Sequence, residues 1–515
     1  MSAALVMRAS KRFGDRDALV DARLEVAAGT VHAVVGENGA GKSTLLKIVY
    51  GLVRADRGQL AIGQRCDLAR HGVAAAQALG VGMVHQHGML VPTLTLAENA
   101  ALGHEPVRRG LLDLAAARRD LARAAARLEQ SLDPDACAGA LSVGEQQRAE
   151  IVMVVARAQK LLILDEPTAL LAPGEVDRLL ALLRRIAGDG CAVVLVSHKL
   201  DEVAEVADAI TVLRAGRTVA ELARGVATRE VARAMVGGEP PPTGAPPPLP
   251  PADAAVVLMV RGLAVHDLSG AATLRPGAGS AGGLRQVSFE VRAGEVVGIA
   301  GVEGNGQREL VQAVVGLVPA AAGRITLGGV DMTHATVAAR RAAGLAHVAE
   351  DRHHHGLVLD ATVADNVMLG RLDEVARGLT IDRTRVRTLA ERALADLDVR
   401  PADPSLAARA LSGGNQQKLV VARELGRAAV RAVVAAQPTR GVDLAAQARI
   451  HDRLRAAAAA GAAVLVISAD LDELFALCHR VAVLHRGAIA GELAGDALRA
   501  ADARATLGAW MVGAA

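Results

Sequence analysis

Residues 36–44 read GENGAGKST, the spacing G-x-x-x-x-G-K-[ST]. That spacing suits an anion rich in oxygen. Gly39 and Gly41 let backbone amides close on phosphate where a Cβ would obstruct. Lys42 reaches β- and γ-phosphates, Ser43 is a ligand for Mg²⁺, and a helix N-terminus behind them favours negative charge. Gly36, Asn38, Gly39, Ala40, Gly41, Lys42, Ser43 and Thr44 therefore form the candidate nucleotide loop. A second group lies in LLILDEPT, 161–168, where an apolar run ends in Asp165 and Glu166. Asp165 is placed to hold Mg²⁺ through water, and Glu166 to polarise an attacking water; phosphoryl transfer needs such positioning and neutralisation more than covalent chemistry. His198 ends the next apolar run, at the place of a γ-phosphate sensor. Phe13, upstream of the loop, is open to two readings, stacking on adenine or packing in the core.

These residues need strands to carry them. TVHAVVG (30–36) reads as a strand entering the glycine loop, and KSTLLKIVYG opens a helix. KLLILD and AVVLVS are continuous apolar runs, as in parallel strands buried on both faces. The stretch LLDLAAARRDLARAAARLEQ, between Gln86 and Leu141, predicts a helical subdomain. The fold class expected is α/β: two tandem phosphate-loop domains, each with a mainly parallel sheet core, an antiparallel β part and a helical subdomain.

Repetition supports two domains. GENGAGKSTL (36–45) recurs as GVEGNGQREL (301–310), LSVGEQQR (141–148) as LSGGNQQK (411–418), and CAVVLVSHKLDEV (191–203) as AAVLVISADLDEL (462–474). LLILDEPT recurs as VVAAQPTR at 433–440, aligned on Pro-Thr. The order is kept and the offsets are nearly equal, which is a tandem duplication. The proline-rich segment 238–253 separates domains 1–237 and 254–515 and reads as a semi-extended linker. SGAATLRPGAGSAGG, 269–283, reads as a flexible surface loop. A chain of 515 residues is too long for one core in any case.

Composition excludes other classes. The net charge is +3 with no basic tail, so nucleic acid is not an expected partner. Cys66, Cys137, Cys191 and Cys478 lack paired spacing, which argues against zinc or a disulfide framework and fits a reducing cytosol. The first residues are too short an apolar run for a signal peptide, and no stretch approaches a spanning helix. The longest candidate, 456–469, is broken by Gly461 and reads as a helix end followed by a buried strand.

Glycine loop, glutamine, LSxGxQ, LDEP and a strand-end histidine, in that order, resemble the ABC ATPase family over essentially the whole chain, twice. The resemblance implies ATP and Mg²⁺ as ligands. It implies that Gln86, in GMVHQHGML, serves metal and catalysis, and that LSxGxQ is a signature motif presented to the γ-phosphate of the opposite domain. Two domains would then clamp ATP head to tail. In the second half Lys42 becomes Gln307, Ser43 becomes Arg308, Asp165 becomes Ala436, Glu166 becomes Gln437, His198 becomes Ala469 and Gln86 becomes Glu350. The first signature carries Val143, whereas the second keeps Ser412, Gly413, Gly414 and Gln416. The defects sort by site. The intact first loop would meet the intact second signature, with Asp443 beside it, giving one hydrolytic and one degenerate site.

The stretches VHQHGMLVPTLTLAEN, GVEGNGQREL, AEDRHHHGLVLD and AAQPTRGVD look like the ATPase subunit of bacterial simple-sugar and nucleoside importers, the nucleoside branch above all. That resemblance implies a peripheral protein on the cytoplasmic face of the plasma membrane. Its partners would be two integral permeases and an extracytoplasmic substrate-binding lipoprotein or periplasmic protein. The second reading is a soluble tandem ABC ATPase acting on ribosomes; such proteins have a long charged linker and two catalytic sites. His353, His354 and His355 read as a surface loop near a permease contact rather than a metal site, since adjacent side chains do not converge on one ion.

Overall fold

Apolar runs become strands because both of their faces are covered. In the computed structural model Val31–Gly36, Leu161–Asp165 and Ala192–Val196 are buried at every position. The structure describes residues 3–513 except 15, 69, 86–87, 142, 158–159, 169–170, 172, 198, 240–249, 252, 267–282 and 303. The chain divides into two compact units, Met1–Pro240 and Pro241–Ala515. Most of the expected linker, and almost all of the low-complexity stretch 269–283, lie outside the described residues.

In the first unit a six-stranded sheet runs Arg217–Ala223, Ala209–Arg214, Val31–Gly36, Ala192–Val196, Leu161–Asp165, Val81–Val84. Every pairing is parallel except that of the edge strand Arg217–Ala223. A four-stranded antiparallel sheet, ordered Arg16–Ala27, Ala3–Phe13, Arg57–Ile62, Gln64–Cys66, accompanies it. The second unit repeats both. Its larger sheet runs Ala488–Ala494, Arg480–His485, Val296–Ala300, Ala463–Ser468, Ala432–Ala436, Leu345–Val348. Its antiparallel sheet is built on Leu284–Arg292, Val256–Val265 and Ala322–Leu327. The duplication read in the sequence is thus a duplication of topology; in the first unit the phosphate loop and the Asp-Glu pair stand at the carboxyl ends of two parallel strands with Ala192–Val196 between them.

The helical part forms as its caps dictate. Thr95 and Glu98 make a reciprocal capping box on Leu96–Ala101, and Asp113 caps the amphipathic helix Leu114–Arg127. In the second unit Thr362 caps Val363–Met368 and Asp382 caps Arg383–Asp396. Asn99 and Asn366 do the same work in each copy. Each amide bonds both backbone groups of one upstream residue, Val91 at 2.7 and 3.1 Å and Val358 at 2.8 and 2.9 Å. The stretch 456–469 is a helix end, Leu444–Ala459, a turn through Gly461 at φ 93°, and the buried strand Ala463–Ser468. Among the described residues no helix is long and apolar enough to cross a membrane.

Candidate functional site

The first loop is shaped by its glycines. Gly36 leaves the strand at φ 156°, and a Cβ there would overlap the Leu213 carbonyl. Gly41, at φ 104°, stands before the helix Lys42–Val49, and its Cβ would lie 2.7 Å from the Ala18 carbonyl oxygen. A side chain at either position would push the loop off the sheet edge. Ala40 N donates to Glu37 O at 3.0 Å, and Gly216 N to Ala40 O at 3.0 Å. Lys42, only 6% exposed, turns back into the loop; its Nζ donates to Gly36 O at 2.6 Å and Glu37 O at 3.0 Å. The ammonium thus lies inside the backbone ring, while Asn38 and Gly39 are exposed and Ser43 and Thr44 half-buried.

Asp165 ends the strand Leu161–Asp165 and is 6% exposed. Its carboxyl is pushed above the usual range, chiefly by burial and then by the neighbouring Glu166 charge. A hydrogen bond from Ser43 and the charges of Lys42 and Lys47 oppose that shift. Ser43 and Asp165, a hydroxyl and a carboxylate from different strand ends, thus act on one another. That donor set fits a hard divalent cation, which takes oxygen ligands. Glu166 sits at φ 50°, and its N donates to Val196 O at 3.0 Å. An L-residue in the left-handed region stores strain of about 1–2 kcal/mol, and such strain gathers at functional turns. Phe13 is half exposed beneath Lys11, whose Nζ is 5.3 Å from the ring centre, so it is not a core residue. Gln86 and His198 lie outside the described residues, as does Ser142.

The second loop keeps the shape without the lysine. Gly306 stands at φ 105° before the helix Gln307–Val315, matching Gly41. Gln307 Nε2 donates to Val302 O at 2.9 Å, the carbonyl corresponding to Glu37 O. Asn305, at the position of Ala40, is buried; its Oδ1 accepts from Arg486 N at 3.0 Å. Gln437 keeps the left-handed turn of Glu166, at φ 47°, and its N donates to Ile467 O at 2.7 Å. Ala436 leaves no carboxylate at the strand end. Glu350, at the position of Gln86, is paired with Arg440 at 2.6 Å.

Ser412 caps the second signature helix, Gly413–Leu425, and its Oγ accepts from Asn415 Nδ2 at 3.0 Å. Gly413 and Gly414 open the helix. Asp443 caps Leu444–Ala459 through Ala446 N at 2.7 Å, and its Oδ2 lies 3.7 Å from where Gly414 would carry a Cβ. Gln416 is 6% exposed and faces inward, donating to Ala408 O at 3.2 Å.

Several bonding pairs escape motif reading. Gln147 Nε2 donates to Pro167 O, and Gln417 Nε2 to Pro438 O at 3.0 Å, tying each signature helix to the turn after the strand that ends at Asp165 or Ala436. Thr168 Oγ1 donates to Glu202, and Thr439 Oγ1 to Glu473, both at 2.6 Å. Their signal in the sequence is persistence: they recur in both halves although the phosphate chemistry does not.

Comparison with known proteins agrees with this geometry. A family model described as "ABC transporter" matches residues 19–169 and again 284–430. The chain is 39% identical to the nucleoside import ATP-binding protein NupA of Lactococcus lactis subsp. cremoris, covering 94% of this chain and 93% of that one. It is 39% identical to the ribose import ATP-binding protein RbsA of Chromobacterium violaceum, over 97% of each. The archaeal ribosome recycling factor aABCE1, crystallised with the stalk protein aP1, shares the tandem fold: TM-score 0.62, 18% identity, 97% of this chain and 92% of that one. At that identity the likeness is one of fold alone. A phosphate loop, an acidic strand end and a signature helix in one unit, a second unit of the same topology, and one family matched twice identify the protein as an ATPase of the ABC transporter family.

Proposed function

We propose that this chain is the ATP-hydrolysing subunit of an ABC importer, peripheral on the cytoplasmic face of the bacterial plasma membrane. It energises uptake of a nucleoside or simple sugar through two integral permeases fed by an extracytoplasmic binding lipoprotein or periplasmic protein. The observation that carries the reading is one-sidedness within a repeated fold. Lys42, Ser43, Asp165 and Glu166 surround one loop, while Gln307, Arg308, Ala436 and Gln437 stand at the same places around the other. The similarity to nucleoside and ribose import proteins supports import as the task.

In this reading the amides of Gly36–Thr44 and the Lys42 ammonium hold the β- and γ-phosphates of ATP. Ser43, Asp165 and Gln86 would hold Mg²⁺, which neutralises charge on the phosphates when bound. Glu166 orients the attacking water and takes its proton, His198 senses the γ-phosphate, and Phe13 stacks on adenine. Ser412, Gly413, Gly414 and Gln416 complete this site from the other unit. The second loop, facing the signature with Val143, retains nucleotide at most.

The test is isolation of the chain from gently solubilised native membranes, with partners identified by mass. Two permeases and a binding lipoprotein are expected, and binding assays on that lipoprotein then separate nucleosides from sugars. Ribosomal proteins without a permease would overturn the importer reading.

A further inference from the structure

The segment after Glu350 is longer than its counterpart in the first unit. Thirteen positions separate Gln86 from Asn99, and sixteen separate Glu350 from Asn366, so the second unit carries three more residues. They form a wide turn, Arg352–Gly356. Asp351 holds it: its Oδ1 accepts from His353 N at 2.9 Å and His354 N at 3.0 Å, and its Oδ2 from His354 Nδ1 at 2.7 Å. Arg423, on the signature helix, anchors the far end by donating to Gly356 O at 2.7 Å.

The turn lies against the signature. His353 Nε2 is 2.9 Å from Gln416 Oε1; an amide oxygen only accepts, so the ring nitrogen donates. Gln416 is thereby held at both ends, by His353 and by the Ala408 carbonyl. The Arg352 guanidinium runs past Gly413, with Nη2 2.7 Å from where a Cβ would sit. Its Nη1 donates to Arg440 O at 3.2 Å, and Arg440 pairs with Glu350. One short turn thus joins the signature, the 439–443 loop and the residue at the position of Gln86. The first unit has Gly88 and Met89 here, and its Met89 N donates weakly to Glu150 at 3.4 Å.

We propose that Asp351–Gly356 is a brace for the second signature, and that Arg352 and His353 are positioning residues for the hydrolytic site. The inference rests on the one-site reading above. A signature that contributes amides to a phosphate in the other unit must hold them at the right angle before ATP arrives, because preorganised donors cost no reorganisation during reaction. The brace stands in the unit whose signature is intact, and the extra residues supply its contacts.

The test uses the purified full-length chain with ATP and Mg²⁺. Steady-state hydrolysis, equilibrium ATP binding in a Glu166→Gln background and thermal unfolding are measured for R352A, R352K, H353A and H353Q. Removing one hydrogen bond from a preorganised site is expected to lower kcat about five- to tenfold in R352A and H353A, with ATP affinity changed less than about twofold. H353Q, whose amide can still donate to Gln416, and R352K, which keeps the cation, should recover most of the rate. Unchanged kcat in R352A and H353A would overturn the brace. So would equal losses in alanine and conservative variants, or losses that follow a falling melting temperature without rescue. If Glu166→Gln itself leaves turnover intact, the one-site reading has failed; if it abolishes turnover while H353A is fully active, the brace alone has failed.

Discussion

At the scale of single residues, the two units differ by few atoms with large consequences. Glu166 and Gln437 occupy the same strained turn, at φ 50° and 47°, and accept the same backbone role. Only the first carries a carboxylate able to take a proton. Glu166→Gln is expected to retain ATP binding and lower turnover by about 10²- to 10⁴-fold, while Gln437→Ala changes turnover less than about twofold. Phosphate release and nucleotide binding, measured on both variants, check this; equal losses would refute a single hydrolytic site. Glu150 carries a second residue-scale prediction. It is 7% exposed on the first signature helix, Val143–Val155, and burial pushes its pKa up to about 7, with the Met89 N–H opposing. The unfolded chain ionises this group near 4.5 and the folded chain near 7, so the folded state binds the extra proton between those values. Its contribution to stability is full below about pH 4.5 and is lost as pH rises to 7. Glu150→Gln removes that loss, and its stability above pH 7 should exceed the parent's by on the order of 2–3 kcal/mol. Urea unfolding at pH 5 and pH 8 reads the difference, and a gap equal at both pH values would sink the idea.

At the scale of elements, the second phosphate loop shows that its shape does not depend on the lysine. Gly306 repeats the geometry of Gly41, and Gln307 bonds Val302 O as Lys42 bonds Glu37 O. An uncharged amide thus satisfies the carbonyl that the ammonium satisfies in the first unit, and the turn persists. Gln307→Lys should then enter a ready-made cradle. In a Glu166→Gln background it is expected to raise nucleotide affinity of the second loop about tenfold or more, since charge-assisted bonds to phosphate exceed neutral ones. It should restore no hydrolysis, because Ala436 and Gln437 supply neither metal ligand nor base. Calorimetric titration with ATP measures this, and an unchanged second-site affinity would show that more than the cation has been lost. Ties such as Gln417 to Pro438 O and Thr439 to Glu473 belong to this scale: they join helix to strand end in both units, whatever chemistry follows.

At the scale of the whole molecule, the distribution of defects matters more than their number. The proposed function pairs the intact loop of one unit with the intact signature of the other. The exchange of one side chain tests this. Gly413→Val copies Val143 into the second signature and should lower turnover on the order of 100-fold, as loss of a preorganised donor does. Val143→Gly, which repairs the first signature, should leave turnover within about twofold. The reverse pattern, with Val143→Gly dominant, would move hydrolysis to the other loop. Steady-state ATPase assays on the full chain suffice, with the fold checked by thermal unfolding.

Motifs were legible in the sequence where chemistry is local. The loop 36–44, the pair Asp165-Glu166 and the signatures are short runs that stand out along the chain, in an order that resembles one family. Buried parallel strands were legible for a similar reason, since a strand covered on both faces reads as an unbroken apolar run. Duplication then implied two domains and one degenerate loop. Tertiary structure alone decided what fills that loop and what braces the signature. Gln307 reads as a lost lysine, yet only the fold shows that it keeps the loop's internal hydrogen bond. Phe13 was open to adenine stacking or core packing, and the fold leaves it half exposed under Lys11. His353 and Gln416 stand 63 positions apart, and the three histidines carry no spacing that points to a partner. The physical reason is one of range. A motif acts through neighbours along the chain, whereas a brace joins segments that only sheet order and helix packing bring together.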